Sequence, residues 1–282
     1  MSNKQHPVPH SAPQAKPPLH DLTLAIFGAG GGMGRLLARQ ARRAGAEIIA
    51  FNRKPAKGCL PFTAAADFLP QCAIILCCLP EAALTETLIA LRPWLGQNQV
   101  LADITSLKGP AMRIMAESHP GPVVGAHPLF GPKARFSGNS SGISAGLGRR
   151  VAIVPGARAQ SRHIALVENL FRGMGCKPFQ CSSKEHDRAM AMMQGLNFLD
   201  QLAFLSTVST VSRLDDFITP SFQRRLNAAK KFLHQDAELF ASLARDNPYV
   251  QEMGEALLSE LRQVLHGNTE SALNRARSVF KT

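Results

Sequence analysis

The sequence predicts an α/β fold: a doubly wound, mostly parallel sheet followed by an all-α C-terminal part. Three observations carry that reading. Short apolar runs alternate with helix-period segments from residue 22 to residue 180. The first apolar run ends in a glycine-rich turn that opens a helix. From Ser182 onward the strand signals stop, and the chain reads helical to its end.

The elements follow in order. Residues 1–20 carry five prolines and three histidines and form a predicted disordered leader. Leu22 to Phe27 reads as a buried strand. Gly28-Ala-Gly30-Gly31-Gly32-Met33-Gly34 follows, and then Arg35 onward at helical period. Strand, glycine turn and helix together make a Rossmann-type dinucleotide cradle: glycines admit a pyrophosphate, and the helix N-terminus offers free N–H groups. The spacing is Gly-x-Gly-x-x-x-Gly, with Ala29-x-Gly31-x-x-Gly34 as the alternative register. A second strand, Glu47 to Phe51, ends in Asn52-Arg53-Lys54. No Asp or Glu stands there to hold a ribose 2′-hydroxyl, whereas Arg53 and Lys54 offer charge to a 2′-phosphate. NADP is therefore expected over NAD.

Cys72 to Leu79 reads as the next strand, ended by Pro80, with a helix over Glu81 to Leu91. Leu79, Pro80 and Thr105 join the cofactor-binding set. Gln99 to Ile104 delivers Thr105-Ser106-Leu107-Lys108 to a strand end, where a hydroxyl either caps the helix starting near Pro110 or faces a ligand. Val123 and Val124 lead to His127 at a predicted strand-to-loop edge. An imidazole there takes a proton near neutral pH. The segment from Lys133 to Arg150 is long, glycine- and serine-rich and basic, as in a lid or insertion. Strands at Val151–Val154 and Lys177–Gln180 flank a helix over Arg158 to Met174.

Ser182-Ser-Lys-Glu185 has capping-box spacing. One long helix is predicted over 184–212. Thr219-Pro220 and Asn247-Pro248 suit N-caps with proline at the first helical position, and Gly267 suits a C-cap. The long helix carries Met190, Met192, Met193, Leu196, Leu199, Leu202, Phe204 and Leu205. So apolar a helical half is expected to bury itself against a second copy. The domains are then the leader 1–20, a dinucleotide-binding domain over 21–182, and a helical dimerisation and substrate domain over 183–282.

Composition narrows the function. The 282 residues include six cysteines without a CxxC pair, read as reduced thiols of a cytoplasmic protein, with no metal site and no membrane span expected. The net charge is +12. Its cations are scattered, with one Trp and one Tyr for stacking. An anionic cofactor and substrate fit this better than nucleic acid.

The glycine turn, Asp103-Ile-Thr-Ser-Leu-Lys-Gly109, Gly125-Ala-His-Pro-Leu-Phe-Gly-Pro132 and Glu185-His-Asp-Arg-Ala-Met190 occur in this order. Together they resemble the prephenate dehydrogenases, and most closely the dehydrogenase half of the bifunctional chorismate mutase–prephenate dehydrogenases. The resemblance runs from about residue 22 to about residue 245. It leaves no room in the leader for a mutase half. It implies NADP-linked oxidative decarboxylation of prephenate to 4-hydroxyphenylpyruvate in tyrosine biosynthesis, by a homodimer. It also implies His127 as the catalytic base and Ser106 as its hydroxyl partner. Lys231 falls where the family carries a carboxylate-gripping arginine, with Arg225 about two turns earlier. Lys133 stands where an acid is frequent, and Asn197-Phe198 where a histidine is. Lys231, Lys133, Arg225 and Gln194 make up the expected grip on a dianionic substrate. Arogenate dehydrogenation and NADP(H) binding without turnover are the alternatives.

Overall fold

The computed structural model describes residues 17–136, 148–235 and 237–280, without side chains at 231–235 and 239. The strands are β1 (Thr23–Phe27), β2 (Glu47–Phe51), β3 (Ile74–Cys77), β4 (Val100–Asp103), β5 (Val123–Pro128), β6 (Arg150–Pro155) and β7 (Lys177–Gln180). They form one sheet in the order β2-β1-β3-β4-β5-β6-β7. Every pairing is parallel except β5 with β6. The helices among the strands are α1 (Gly32–Arg43), α2 (Glu81–Leu91), α3 (Lys108–Ser118) and α4 (Ser161–Gly173).

Helices cover both faces, which is why the strands read as continuous apolar runs. Leu24 and Ile26 pack on one side with Leu37, Ala41, Leu170 and Phe171. The alternate residues Ala25 and Phe27 pack on the other with Leu84, Leu88 and Met115. The chain's last strands extend the sheet beyond β4 rather than starting a new layer.

Beyond the sheet come α5 (Ser183–Met190), a π-helical segment (Ala191–Leu196), α6 (Asn197–Val208), α7 (Pro220–Gln235), α8 (Ala237–Asp246), α9 (Val250–Leu265) and α10 (Thr269–Ser278). The predicted single helix over 184–212 is thus broken in register at its middle. At that break Gly195 lies against Val250, and a Cβ there would collide with the valine side chain. The widened π turn lets α9 approach this closely.

The capping box forms as its spacing predicts: Ser182 Oγ accepts from Glu185 N (3.1 Å), and the Glu185 carboxylate accepts from Ser182 N (2.8 Å). Thr219 Oγ1 accepts from Phe222 N at the start of α7. Gly267 ends α9 with φ +96. α9 begins at Val250, yet Asn247 still makes the capping bond: its Oδ1 accepts from Tyr249 N (3.0 Å), while its Nδ2 donates to the Asp187 carbonyl at 2.8 Å. The leader also differs at its end. Residues 17–20 turn back on the sheet, Leu19 N donates to Ala44 O, and the Leu19 side chain is buried in the core. Residues 1–16 lie outside the described residues, as does 137–147 of the predicted insertion. Among the described residues no helix is long and apolar enough to cross a membrane. All six cysteines are free thiols.

Candidate active site

The glycine turn joins β1 to α1. Gly28 sits at φ +79, and a Cβ there would strike the Cys78 carbonyl oxygen at the end of β3. A Cβ at Gly34 would strike the Gly28 carbonyl oxygen. The turn therefore tolerates only glycine at these places. Gly31 is the N-cap of α1 and supplies no side-chain cap to the first N–H groups of the helix. Such a cradle, kept open by absent Cβ atoms and backed by a helix N-terminus, fits a dinucleotide pyrophosphate.

Asn52 locks the turn from the side: its Oδ1 accepts from Gly30 N (3.2 Å), and its Nδ2 donates to Lys54 O (2.7 Å). Arg53 and Lys54 are exposed beside it. Arg53 approaches Glu86 of α2 at 3.5 Å, both side chains largely in solvent. Such a pair contributes little and leaves the guanidinium available to a stronger anion.

A cleft of about 600 Å³ opens next to this turn, at the carboxyl ends of β3 and β4. It brings together Met33, Leu79, Pro80, Thr105 and Ser106 of the sequence-predicted set. Its other wall is helical, with Ser242, Leu243, Arg245 and Asp246 of α8. Glu81 lies at its rim; burial, and then the carboxylates of Asp246, Asp103 and Asp187, raise its pKa above the usual carboxyl value, against the Lys108 charge. The Thr105 hydroxyl is already engaged, 2.5 Å from Asp103 Oδ2 and 2.9 Å from the Leu107 carbonyl oxygen. Ser106, half-buried, is the hydroxyl that the cleft exposes.

His127 is the penultimate residue of β5, one short of its carboxyl end, and pairs with Ala152 of antiparallel β6. The strand runs one residue past it because β6 supplies a hydrogen-bonding partner that the local sequence does not announce. The imidazole is buried. Burial, and then the charges of Lys108 and His186, hold its pKa well below the usual imidazole value. It is therefore neutral near pH 7, as a base must be.

Two buried networks surround it. Lys108 Nζ lies 2.6 Å from Asp103 Oδ2 and 2.8 Å from the carbonyl oxygen of Ala126, the residue before His127. Neither Lys108 nor Asp103 has any solvent exposure. Gly125 makes this reach possible, since a Cβ there would lie 3.1 Å from Lys108 Cδ and 2.6 Å from the Met112 sulfur. On the other side, His127 Nδ1 is 2.9 Å from His186 Nε2, and His186 Nδ1 is 2.7 Å from Asp187 Oδ1. Asp187 also accepts from Lys108 N (2.8 Å) and Gly109 N (2.7 Å). A carboxylate from α5 thus caps α3, the role that the sequence reading offered to Thr105 or Ser106.

Asp103, Lys108, His186 and Asp187 stand in the motifs, but the sequence assigns them no role. Nothing in their spacing connects residues 59 to 79 apart. Of the expected substrate grip, Gln194 lies on the π segment with its Oε1 buried and unpartnered. Arg225 stacks over the Phe204 ring at 3.5 Å and approaches Asp200 at 3.9 Å. Lys133 is exposed just after the Pro128–Pro132 loop. Lys231 is on α7, its side chain outside the described residues. Lys133, Gln194 and Arg225 do not line the cleft beside the glycine turn.

Known proteins resemble this arrangement. The chain is 28% identical over 227 residues to the T-protein of Haemophilus influenzae, covering 79% of this chain and 56% of that protein. It is 24% identical over 279 residues to a probable arogenate/prephenate dehydrogenase of Methanocaldococcus jannaschii, covering 92% of this chain and 59% of that one. It therefore spans less than two thirds of the length of these relatives. In fold it resembles the crystal structure of prephenate dehydrogenase from A. aeolicus in complex with hydroxyphenyl propionate and NAD+, with a TM-score of 0.70 and 18% identity over 93% of this chain and 96% of that one. Residues 39–179, half of the chain and most of the sheet, match the model of the prephenate dehydrogenase nucleotide-binding domain, and the protein belongs to the prephenate dehydrogenase family.

Proposed function

We propose that this protein is a nicotinamide-dependent dehydrogenase that converts prephenate to 4-hydroxyphenylpyruvate, with NADP preferred over NAD. The observation that carries the reading is His127: a buried, neutral imidazole held on β5 by two hydrogen-bond networks. The glycine turn, Asn52 and the N-terminus of α1 would hold the cofactor's pyrophosphate and adenosine side. Met33, Leu79, Pro80 and Thr105 would line the way to its reactive ring. When bound, the nicotinamide takes up the hydride from the ring carbinol carbon.

His127 accepts the proton of the carbinol hydroxyl as that carbon becomes a carbonyl. The ring carboxylate then leaves as carbon dioxide, and its bonding electrons enter the ring. The former hydroxyl oxygen gathers the negative charge and recovers its proton from His127, giving a phenol. Ser106 would hold that oxygen in line. Lys133, Gln194, Arg225 and Lys231 are proposed to grip the two carboxylates. The first three lie outside the cofactor cleft, which agrees with a substrate site separate from the cofactor's.

NADP preference is supported by the exposed Arg53 and Lys54 at the end of β2 and the absence of an acidic side chain in Asn52-Arg53-Lys54. The proposed homodimer is supported by the exposed apolar residues of α9 and α10, among them Leu258, Leu261, Leu265 and Leu273. The free thiols are in keeping with a cytoplasmic protein.

The test is purified protein with prephenate or arogenate and NADP or NAD, followed at the nicotinamide absorbance. Turnover of prephenate favouring NADP is expected. Turnover of arogenate alone would reassign the substrate, and cofactor binding without turnover would mean a non-catalytic protein. Arg53→Ala is expected to weaken NADP about tenfold or more with little effect on NAD, the scale of one charge-assisted hydrogen bond. Equal losses for both cofactors would remove the 2′-phosphate assignment.

A further inference from the structure

The hydrogen-bond chain behind His127 has a direction, set by its far end. Asp187 is buried, yet its pKa is lowered: burial pushes it up, and hydrogen bonds from His186 and from the N–H groups of Lys108 and Gly109 outweigh that. It is a carboxylate and only accepts. His186 Nδ1, 2.7 Å away, therefore carries a proton and donates it. With one proton on the ring, His186 Nε2 bears the lone pair and accepts. His127 Nδ1, 2.9 Å from that atom, must then be the N–H. The remaining nitrogen of His127, Nε2, holds the free lone pair.

We propose that His186 is a positioning residue for the reaction: it holds His127 as the Nδ1–H tautomer with Nε2 as the base, and it links the charge that His127 gains to the Asp187 carboxylate. The inference rests on His127 being the base. It adds that the base is assembled from two parts of the chain, since His127 is in the sheet and both residues behind it are on α5. A second proton on the pair would reverse the chain. His186 would then donate to His127 Nδ1, and Nε2 would lose its lone pair. Charged groups on the surrounding elements set that balance: Lys108 on α3 acts on His127 and Asp187 on α5 binds His186, while Asp103 on β4 and Glu81 at the start of α2 act on Lys108. The ring contact itself is edge-on, with centroids 5.1 Å apart and planes at 68°, a geometry that aims nitrogen at nitrogen rather than stacking faces.

The tautomer is readable without substrate. In full-length protein with 15N-labelled histidine, the His127 imidazole signals are assigned by their loss in His127→Gln. The expected spectrum has Nδ1 protonated and Nε2 bare near neutral pH. In His186→Leu, which removes the acceptor but keeps an apolar side chain of similar reach, His127 is expected to shift towards Nε2–H. In His186→Gln, whose amide oxygen takes the place of the acceptor, the Nδ1–H form is expected to return.

Kinetics supply the second readout. His186→Leu is expected to lose about 10- to 100-fold in kcat, with KM for prephenate and cofactor Kd changed by less than about threefold, and His186→Gln to recover much of that loss. A wild-type His127 protonated on Nε2 overturns the proposal. So does a folded His186→Leu that keeps both the Nδ1–H tautomer and a kcat within about twofold of wild type. If His186→Leu does not fold, the wild-type spectrum and His186→Gln decide. If the wild type fails to oxidise prephenate, the functional reading falls by itself, and the spectra still judge the positioning role.

Discussion

The sheet half and the helical half of this chain bury their apolar residues in different ways. In the sheet, Phe27, Phe51, Ile74 and Ile75 are wholly buried. At the end of α9 Leu265 is 82% exposed, and just beyond α10 Phe280 is 87% exposed. Among the Lys/Arg pairs of the described residues, the one wholly buried is in the sheet half. Lys108 and Asp103 are paired in the interior, whereas Arg213–Asp216 and Arg275–Glu260 lie at the surface. The sheet half has both faces covered, with the Lys108–Asp103 pair enclosed in its interior. The helical half has a face that it does not cover, while its first helix supplies His186 and Asp187 to the sheet. One half builds a core and the other completes a site, so substitutions in the two should fail differently.

The largest expected effect is at the site they share. His127→Asn is expected to lower kcat by about 10²- to 10⁴-fold while leaving cofactor affinity nearly intact, the usual range for loss of a positioned base. Stopped-flow and steady-state turnover with prephenate would check it, and a kcat that barely moves would dismiss His127 as the base.

Next is the buried pair of the sheet half. Lys108→Met leaves the Asp103 carboxylate without its partner in the interior and should cost about 3–5 kcal/mol of stability. Urea unfolding measures it. A loss below about 1 kcal/mol, the worth of a surface pair, would erase the contrast between the halves.

The helical half should lose assembly rather than folding. Leu265→Glu with Phe280→Glu is expected to weaken dimer formation by at least about 100-fold, since each exposed side chain is worth roughly 1.5–3 kcal/mol when buried. Sedimentation equilibrium would follow it, with secondary structure unchanged by circular dichroism. A wild type that sediments as a monomer at every concentration tested would refute the second copy as the cover.

The smallest effect is a pH dependence of stability. Burial is the main cause that lowers both His119 and His127 from the usual imidazole value. As pH falls below about 6.5 the unfolded chain binds protons that the folded chain refuses, so these residues stabilise the fold above that pH and the benefit is lost on acidification. The slope is at most about 1.4 kcal/mol per pH unit per histidine. The unfolding midpoint in urea should drop between pH 7 and pH 5.5, and His119→Gln should flatten part of the slope.

How much of this was legible beforehand depended on whether a signal was local. The glycine turn, the alternating strands and the Ser182–Glu185 capping box are all written within a few consecutive residues, and each forms as read. The capping of α3 was misread, because its cap comes from Asp187, 79 residues on from Lys108. Asn247 accepts from Tyr249 N as its proline neighbour suggests, but the long-range bond from its Nδ2 to the carbonyl of Asp187 has no local signal. His127 was found from its Pro-Gly surroundings, whereas its partner His186 was read only as part of a motif.

The sequence by itself determined the layers of this protein. Short continuous apolar runs and stretches of period 3.6, punctuated by glycine and proline, specify which segments are strands and which are helices. The tertiary structure alone decided the chemistry around His127. A hydrogen bond between two polar side chains leaves no period in the sequence. Only the packing of α5 against α3 and β5 brings His186, Asp187 and Lys108 within 3 Å of their partners. That same packing excludes the water that would otherwise weaken the contacts, and it keeps the imidazole neutral.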